Sequence, residues 1–470
     1  MKKSLTAFLM EHAAAEPVSF HMPGHKGSQL YKELGYGRVL DRVMDCDITE
    51  IPGADNLFQT EDVILSVMEK YEKLYGSRRS YLLINGSSVG LIASILSSAK
   101  RGEKVIMARN SHKSIFNALT LGGLEPVYLF PEVLEGYGIL GEITASEVET
   151  LIRDNPDAGC VVLPSPNYYG ICSDIRSISS VCHKAGKILI VDQAHGAHLK
   201  FIGEDYPEAA EDCGADIVIN SIHKTLASWT QTAVLNVMSE RVDLNKLENH
   251  LQILESSSPS YPLMMSLDIS AEILLDEEKK KKTIGEWRSA VDEFYEEARK
   301  IEGLKVIESH LLDRTKLNMD MSAYGLDGNR LEKLLMEKGI FVELVTGNIL
   351  MGMTGIGTTR RHVERLLDAL REIAGSHRLQ ETAERPEEHP GILTVRLERT
   401  AVPSEMAARP LNECAGLTAA ASIIPYPPGI PIACPGEILT EEIISYVAKL
   451  RSLGEKVIGV SPEGEILVGK

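Results

Sequence analysis

Ile188-Leu189-Ile190-Val191-Asp192-Gln193-Ala194-His195-Gly196-Ala197-His198 and, further along, Ile217-Val218-Ile219-Asn220-Ser221-Ile222-His223-Lys224 have one form. Each is an apolar run of strand length followed at once by polar, chemically capable side chains. A lysine just past a buried strand can form a Schiff base with an aldehyde cofactor. An aspartate at the tip of another strand can hold that cofactor's ring nitrogen protonated, and together the two suggest pyridoxal phosphate. The plainer reading of each residue stands beside this one: a strand-tip aspartate also caps helices, and a lysine ordinarily faces water. Ile217 to Ile219, directly upstream, make a surface position for Lys224 less natural.

From about residue 60 to 240 the same form repeats. Helical periodicity over Glu61–Tyr75 precedes a strand at Tyr81–Ile84 and a helix from about Val89 to Ala99. Short apolar runs follow at Val105–Ala108, Val127–Phe130, Cys160–Leu163, Lys187–Val191, Ile217–Ile219 and Ala233–Val237. Most are separated by helix-length segments such as Ser146–Asp154 and Ile178–Ala185, the pattern of buried parallel strands with crossover helices. Residues 270–300 are charged and helix-prone, and Lys279 to Lys282 read as a solvated helix face. Beyond them, strands are expected at Lys305–Ile307, Leu317–Met321, Ile340–Leu344 and Ile349–Met353. Helices are expected at Leu331–Lys338 and His362–Ala374, and an exposed loop at Ser376–Pro390. The expected organisation is an N-terminal segment (1–60), a large cofactor-binding domain (61–270), a helical linker (271–310) and a C-terminal α+β domain (311–470).

In an open α/β sheet the ligand crevice lies outside the carboxyl ends of the strands, and the polar motifs gather there. Asn85-Gly86-Ser87-Ser88 ends one strand and opens a helix, so its backbone N–H groups and hydroxyls can cradle a phosphate. An ordinary helix cap explains the turn equally well. His112, in Arg109-Asn110-Ser111-His112-Lys113-Ser114, can lie flat on an aromatic cofactor or be a polar loop residue. Ala194 is small enough for a planar ring to pack beside Asp192. Ser221 can hold phosphate, and His223 can contact phosphate or donate a proton. The pairs His21/His25 and His195/His198 lack a carboxylate or cysteine set at zinc spacing, so no metal is expected, and loop or cofactor contacts are preferred.

Composition bounds the rest. A chain of 470 residues needs more than one core. Its net charge of −18 argues against nucleic acid. No apolar run approaches the roughly 18 residues of a membrane span. Residues 1–12 read as a short amphipathic helix rather than an export signal. Seven cysteines without a C-x-x-C pair read as reduced thiols, which points to the cytoplasm.

The order of phosphate turn, histidine, strand-end aspartate and Ser-x-His-Lys resembles the fold-type-I ornithine/lysine/arginine decarboxylases, in the short bacterial branch without an N-terminal wing domain. The likeness covers FHMPGHKG (20–27), DITEIPGADNL (47–57), NGSSVG (85–90), RNSHKS (109–114), DQAHGAHL (192–199), SIHK (221–224), SSSPSYPLMMSLD (256–268) and PYPPGIPIACPGE (425–437). It implies an aspartate-aminotransferase-like large domain with a mainly parallel sheet, plus a smaller C-terminal α+β domain. By resemblance, Lys224 carries the cofactor, Asp192 pairs with its ring nitrogen, and His112 and Ala194 flank the ring. Gly86, Ser87, Ser88, His195, Ser221 and His223 hold or neighbour it, with His112 and His223 counted among the catalytic groups. Ser258 resembles a residue reaching the partner subunit's phosphate, which implies a homodimer with shared active sites.

The likeness departs at Gln193, where the family usually has an acid, and at Ser87, where it usually has threonine. The activity implied is decarboxylation of arginine or lysine, with ornithine behind them. Asp55, Glu343 and Glu437 are the candidate acids for the substrate's distal cation. An aminotransferase, a carbon–sulfur lyase and a catalytically silent homologue remain the alternatives.

Overall fold

Seven strands, the inner ones mostly apolar, form the central sheet in the order Arg79–Leu83, Ala233–Val237, Ile217–Asn220, Ile188–Asp192, Cys160–Pro164, Lys104–Ala108, Glu125–Leu129. The structure is a computed structural model that describes residues 3–134, 136–379, 395–426 and 429–470. Pairings are parallel except at Ala233–Val237, which runs antiparallel to both of its neighbours. The central strands are buried throughout because helices cover both faces, which is why their sequences do not alternate. The parallel strands therefore present their carboxyl ends together, and Asp192 and Ser221 both lie on that edge.

Local signals set the helix ends. Thr144 and Glu147 form a reciprocal capping box at the start of Ala145–Asp154. Gly76, at φ 70°, ends Val63–Tyr75 in the left-handed conformation that glycine adopts without strain. The charged segment beyond residue 270 is helical, as its composition predicts. Tyr261–Leu275 is followed after Asp276, which caps the next helix, by Glu277–Ala298. Trp287 on that second helix is fully buried, donates to Thr354 Oγ1 at 2.8 Å and lies 5.0 Å from the His198 ring. It thus ties the small domain to the large one.

A four-stranded antiparallel sheet follows, in the order Lys305–Val306, Lys316–Asp320, Ile349–Met353, Leu344–Thr346. The single strand expected at Ile340–Leu344 is instead two. Ile340–Val342 pairs in parallel with Val18–Phe20, and Leu344–Thr346 pairs with Ile349–Met353. The chain bends at Glu343, whose carboxylate accepts the Met22 N–H at 2.9 Å. Helix Arg360–Ser376 extends the expected His362–Ala374, and residues 380–390 of the expected loop lie outside the described residues. The C-terminal part pairs Met406–Pro410 with Glu465–Gly469 and Ile424–Tyr426 with Lys456–Ile458 around helix Glu441–Ser452. It has an apolar core of its own.

Candidate active site

Gly86, Ser87, Ser88, His112, Asp192, Ala194, His195, Ser221, His223, Lys224 and Glu343 line one cavity of about 230 Å³ at the carboxyl edge of the central sheet. Gly86, at φ 82°, precedes helix Ser87–Ser98, whose first two residues line the cavity with it. The Ser221 hydroxyl donates to Ser87 Oγ at 2.8 Å, so hydroxyls from two separate elements converge there. Asp192 is buried and accepts the Ala194 N–H at 3.1 Å. Lys224 Nζ lies 3.0 Å from His195 Nε2.

Burial dominates the electrostatics. It pushes the Asp192 carboxyl above its ordinary range, opposed by the nearby Lys224. It pushes the Lys224 amine down, opposed by Asp192 and Glu343. His112 is driven down to about 3 by burial and by Lys224 and Lys113. His223 is driven down to about 4 by burial, against the Thr232 carbonyl 2.7 Å from its Nδ1. His195 is likewise held well below its ordinary value by burial and by Lys224. These imidazoles are therefore neutral near pH 7. His112 Nδ1 accepts the Ser114 N–H at 3.3 Å and caps helix Lys113–Gly122, which leaves Nε2 as the protonated nitrogen.

Because free histidine titrates near 6.5, the unfolded chain takes up protons that folded His112 and His223 refuse. Stability is expected to fall as pH drops from about 6.5 toward 4. Urea midpoints measured between pH 7.5 and 5 check this, and a flat midpoint would contradict it.

Two of the three acids considered for the substrate lie elsewhere. Asp55 accepts the N–H groups of Asn56, Glu61, Asp62, Ile64 and Leu65, so it caps the following helix. Glu437 is buried among Tyr128, Cys434 and Arg109. Neither lines this chain's cavity; each is engaged elsewhere by the donors around it. Ser258 is exposed and also outside this chain's cavity. Gln193 points into a buried amide network, donating to Glu211 Oε2 at 2.8 Å and to Asn220 Oδ1 at 3.1 Å while its oxygen accepts the Ala210 N–H. An acid at 193 would bring a second carboxylate against Glu211, so the neutral amide suits this interior.

Several neighbours are absent from the motif reading. Tyr168 packs its ring edge-on to His195 at 4.9 Å. Lys316, fully buried, donates to the His195 carbonyl and to Asp313 Oδ2, both at 2.8 Å. The lysine turn is also gripped by backbone. Gly24 N–H donates to the His223 carbonyl at 2.7 Å, Ile356 N–H to the Thr225 carbonyl at 2.8 Å, and Gly357 N–H to the Gly24 carbonyl at 3.0 Å. A Cβ on Gly355 would sit 2.6 Å from Gly24 Cα, and one on Gly24 would collide with the backbone of Thr225. The only sequence signal for this knot is the glycine content of His21–Gly27 and Thr354–Gly357. Gly24→Ala is expected to cost about 1–3 kcal/mol by overpacking against rigid backbone. A lowered urea midpoint checks it, and an unchanged one would contradict the close packing.

Pyridoxal phosphate suits this donor set. A half-buried lysine amine, a buried carboxylate with one backbone partner, and hydroxyls at a helix N-terminus meet in one cavity that a small residue, Ala194, leaves open. Fold and site together define a fold-type-I pyridoxal phosphate enzyme. Residues 3–320 match the family model "Orn/Lys/Arg decarboxylase, major domain" and residues 378–465 match "Orn/Lys/Arg decarboxylase, C-terminal domain"; the chain belongs to this family.

The chain is 33% identical over 474 residues to "Uncharacterized protein YaaO" of Bacillus subtilis (strain 168), covering 98% of this chain and 96% of that one. It is 31% identical over 472 residues to an arginine decarboxylase of the same organism, covering 98% and 95%. The solved lysine decarboxylase LdcF of Francisella novicida superposes with a TM-score of 0.76 at 21% identity, over 99% of this chain and 80% of that one.

Proposed function

We propose that this protein decarboxylates a basic amino acid, arginine or lysine ahead of ornithine, to the corresponding amine and CO₂. The observation that carries the reading is the meeting, in one cavity, of Lys224, Asp192 and the Gly86–Ser88 turn with a carboxylate, Glu343, from the small-domain side. Bound pyridoxal phosphate supplies the electron sink for the bond broken at the substrate's α-carbon.

The protein's own groups bind and orient. In this reading Ser87, Ser88 and Ser221, with the helix N-terminus, hold the phosphate. Asp192 holds a proton on the ring nitrogen. Ala194 and His112 take the two faces of the ring. His195 and His223, both neutral, stand beside Lys224 to accept or return a proton at its Nζ. Lys224, its ammonium disfavoured by burial, is poised to react as the free amine.

Glu343 is the acid we assign to the substrate's distal cation. Its carboxylate is only 9% exposed and is held by the Met22 N–H. A hydrogen bond to a charged group contributes about 1.5–3 kcal/mol. Glu343→Gln is therefore expected to raise KM roughly ten- to a hundred-fold with a smaller effect on kcat. An unchanged KM would remove Glu343 from substrate binding.

We also propose a homodimer in which the exposed segment around Ser258 serves the partner's site; size-exclusion chromatography with light scattering tests it. The proposed domain division keeps 1–60, 61–270, 271–310 and 311–470 as units. A cytoplasmic location is proposed from seven unpaired cysteines. No helix among the described residues is long and apolar enough to cross a membrane.

The deciding assay incubates the protein with pyridoxal phosphate and arginine, lysine or ornithine in turn. Amine with stoichiometric CO₂ supports the reading. A keto acid would mean transamination, and no turnover would favour a silent homologue.

A further inference from the structure

Arg109 and the segment 431–437 are joined in a way that the chemistry above does not use. Arg109 follows strand Lys104–Ala108 and stands just before the loop that carries His112. Its guanidinium reaches into the C-terminal part, where it donates to the carbonyls of Pro431 and Ile432, the latter at 3.0 Å, and lies 3.6 Å from Glu437 Oε2. It also lies over the rings of Phe116 and Tyr128, at 5.4 and 5.3 Å. Tyr128 donates its hydroxyl to Glu437 Oε1 at 2.9 Å, and the other Glu437 oxygen accepts the Cys434 N–H at 2.8 Å.

The consequence lies in what Phe116 belongs to. It sits on helix Lys113–Gly122, the helix that His112 caps. One guanidinium thus holds the chain before His112 by covalent attachment and the helix after it by packing. Glu437 is 1% exposed and Arg109 12%. Burying this pair costs desolvation that an apolar contact between domains would avoid. A planar fork bound to two carbonyls instead fixes orientation, which a lysine cannot reproduce.

We propose that Arg109 and Glu437 are positioning residues through which the C-terminal domain holds the His112 imidazole in register with the cofactor ring. The proposal rests on the reading that His112 packs on that ring.

The test is a double-mutant cycle in the holoenzyme, with kcat, KM and the visible circular dichroism of bound cofactor measured for Arg109→Lys, His112→Ala and the double variant. Arg109→Lys is expected to lower kcat about ten-fold and to weaken the visible ellipticity, with KM nearly unchanged. In the His112→Ala background it should have no further effect on either. Should Arg109→Lys not fold, Glu437→Gln, which keeps an acceptor for Tyr128, runs the same cycle under the same criteria.

Wild-type kcat and ellipticity in Arg109→Lys would overturn the proposal. An impaired His112→Ala enzyme in which Arg109→Lys still exacts its full loss would overturn this proposal alone. A His112→Ala enzyme with wild-type ellipticity and turnover would overturn the ring-packing reading, and this proposal with it.

Discussion

Lys224→Ala is expected to lose the visible absorbance of the lysine-linked cofactor altogether and to reduce turnover by about ten-thousand-fold or more, the scale seen when a covalent group acts as a unit with its neighbours. The reason is positional as well as chemical. Lys224 is the lysine that lines the cavity, its amine lies 3.0 Å from His195 Nε2, and its turn is fixed by the Gly24 and Ile356 backbone. No other lysine among the described residues lines that cavity. Absorbance and single-turnover rates of the reconstituted variant measure the outcome. A spectrum identical to wild type would reject the assignment of Lys224.

Asp192→Ala should separate binding from chemistry. The phosphate anchors proposed at Gly86, Ser87, Ser88 and Ser221 belong to other elements and survive the substitution, so much of the cofactor affinity should remain. The electron sink should not. A buried carboxylate with a single backbone partner is costly unless a cation faces it; Lys224 lies near, and in the proposed reading a protonated ring nitrogen would pair with Asp192 directly. Breaking a buried pair costs about 3–5 kcal/mol, which corresponds to roughly 10²- to 10⁴-fold in turnover. Cofactor titration followed by kcat at saturating pyridoxal phosphate checks both halves. Near-normal turnover would remove Asp192 from the electron-sink role.

What could be read in advance follows from the range of the interactions. The apolar runs that became the central strands, and the polar residues at their ends, are local signals, so Asp192, Ser221, Lys224 and the Gly86–Ser88 turn were legible as residues before any fold was known. Asp55 and Glu437 stand outside this chain's cavity, which their sequence neighbourhood does not reveal. Their neighbourhood in sequence resembles a site, but five backbone N–H groups occupy the first, and Tyr128, Cys434 and Arg109 occupy the second. Tyr128 and Arg109 meet Glu437 only once the chain is folded, whereas the donors to Asp55 are its near neighbours in sequence and mark it as a local cap.

Glu343 illustrates the remaining difficulty. The stretch Ile340–Leu344, apolar but for Glu343, reads as one strand. It breaks at its only acid because the two halves pair with different partners, Val18–Phe20 and Ile349–Met353. That break brings the carboxylate to the cavity. The contacts among Gly24, Gly355 and Gly357 are of the same kind: each glycine is ordinary in sequence and required only by a backbone distant along the chain.

Reducing the holoenzyme with borohydride and mapping the modified peptide is the measurement that bears most directly on this account. A single stable adduct on the peptide containing Lys224, formed in wild type and absent from Lys224→Ala, is the predicted result. An adduct on another lysine, such as the buried Lys316, or no adduct with cofactor bound, would contradict it.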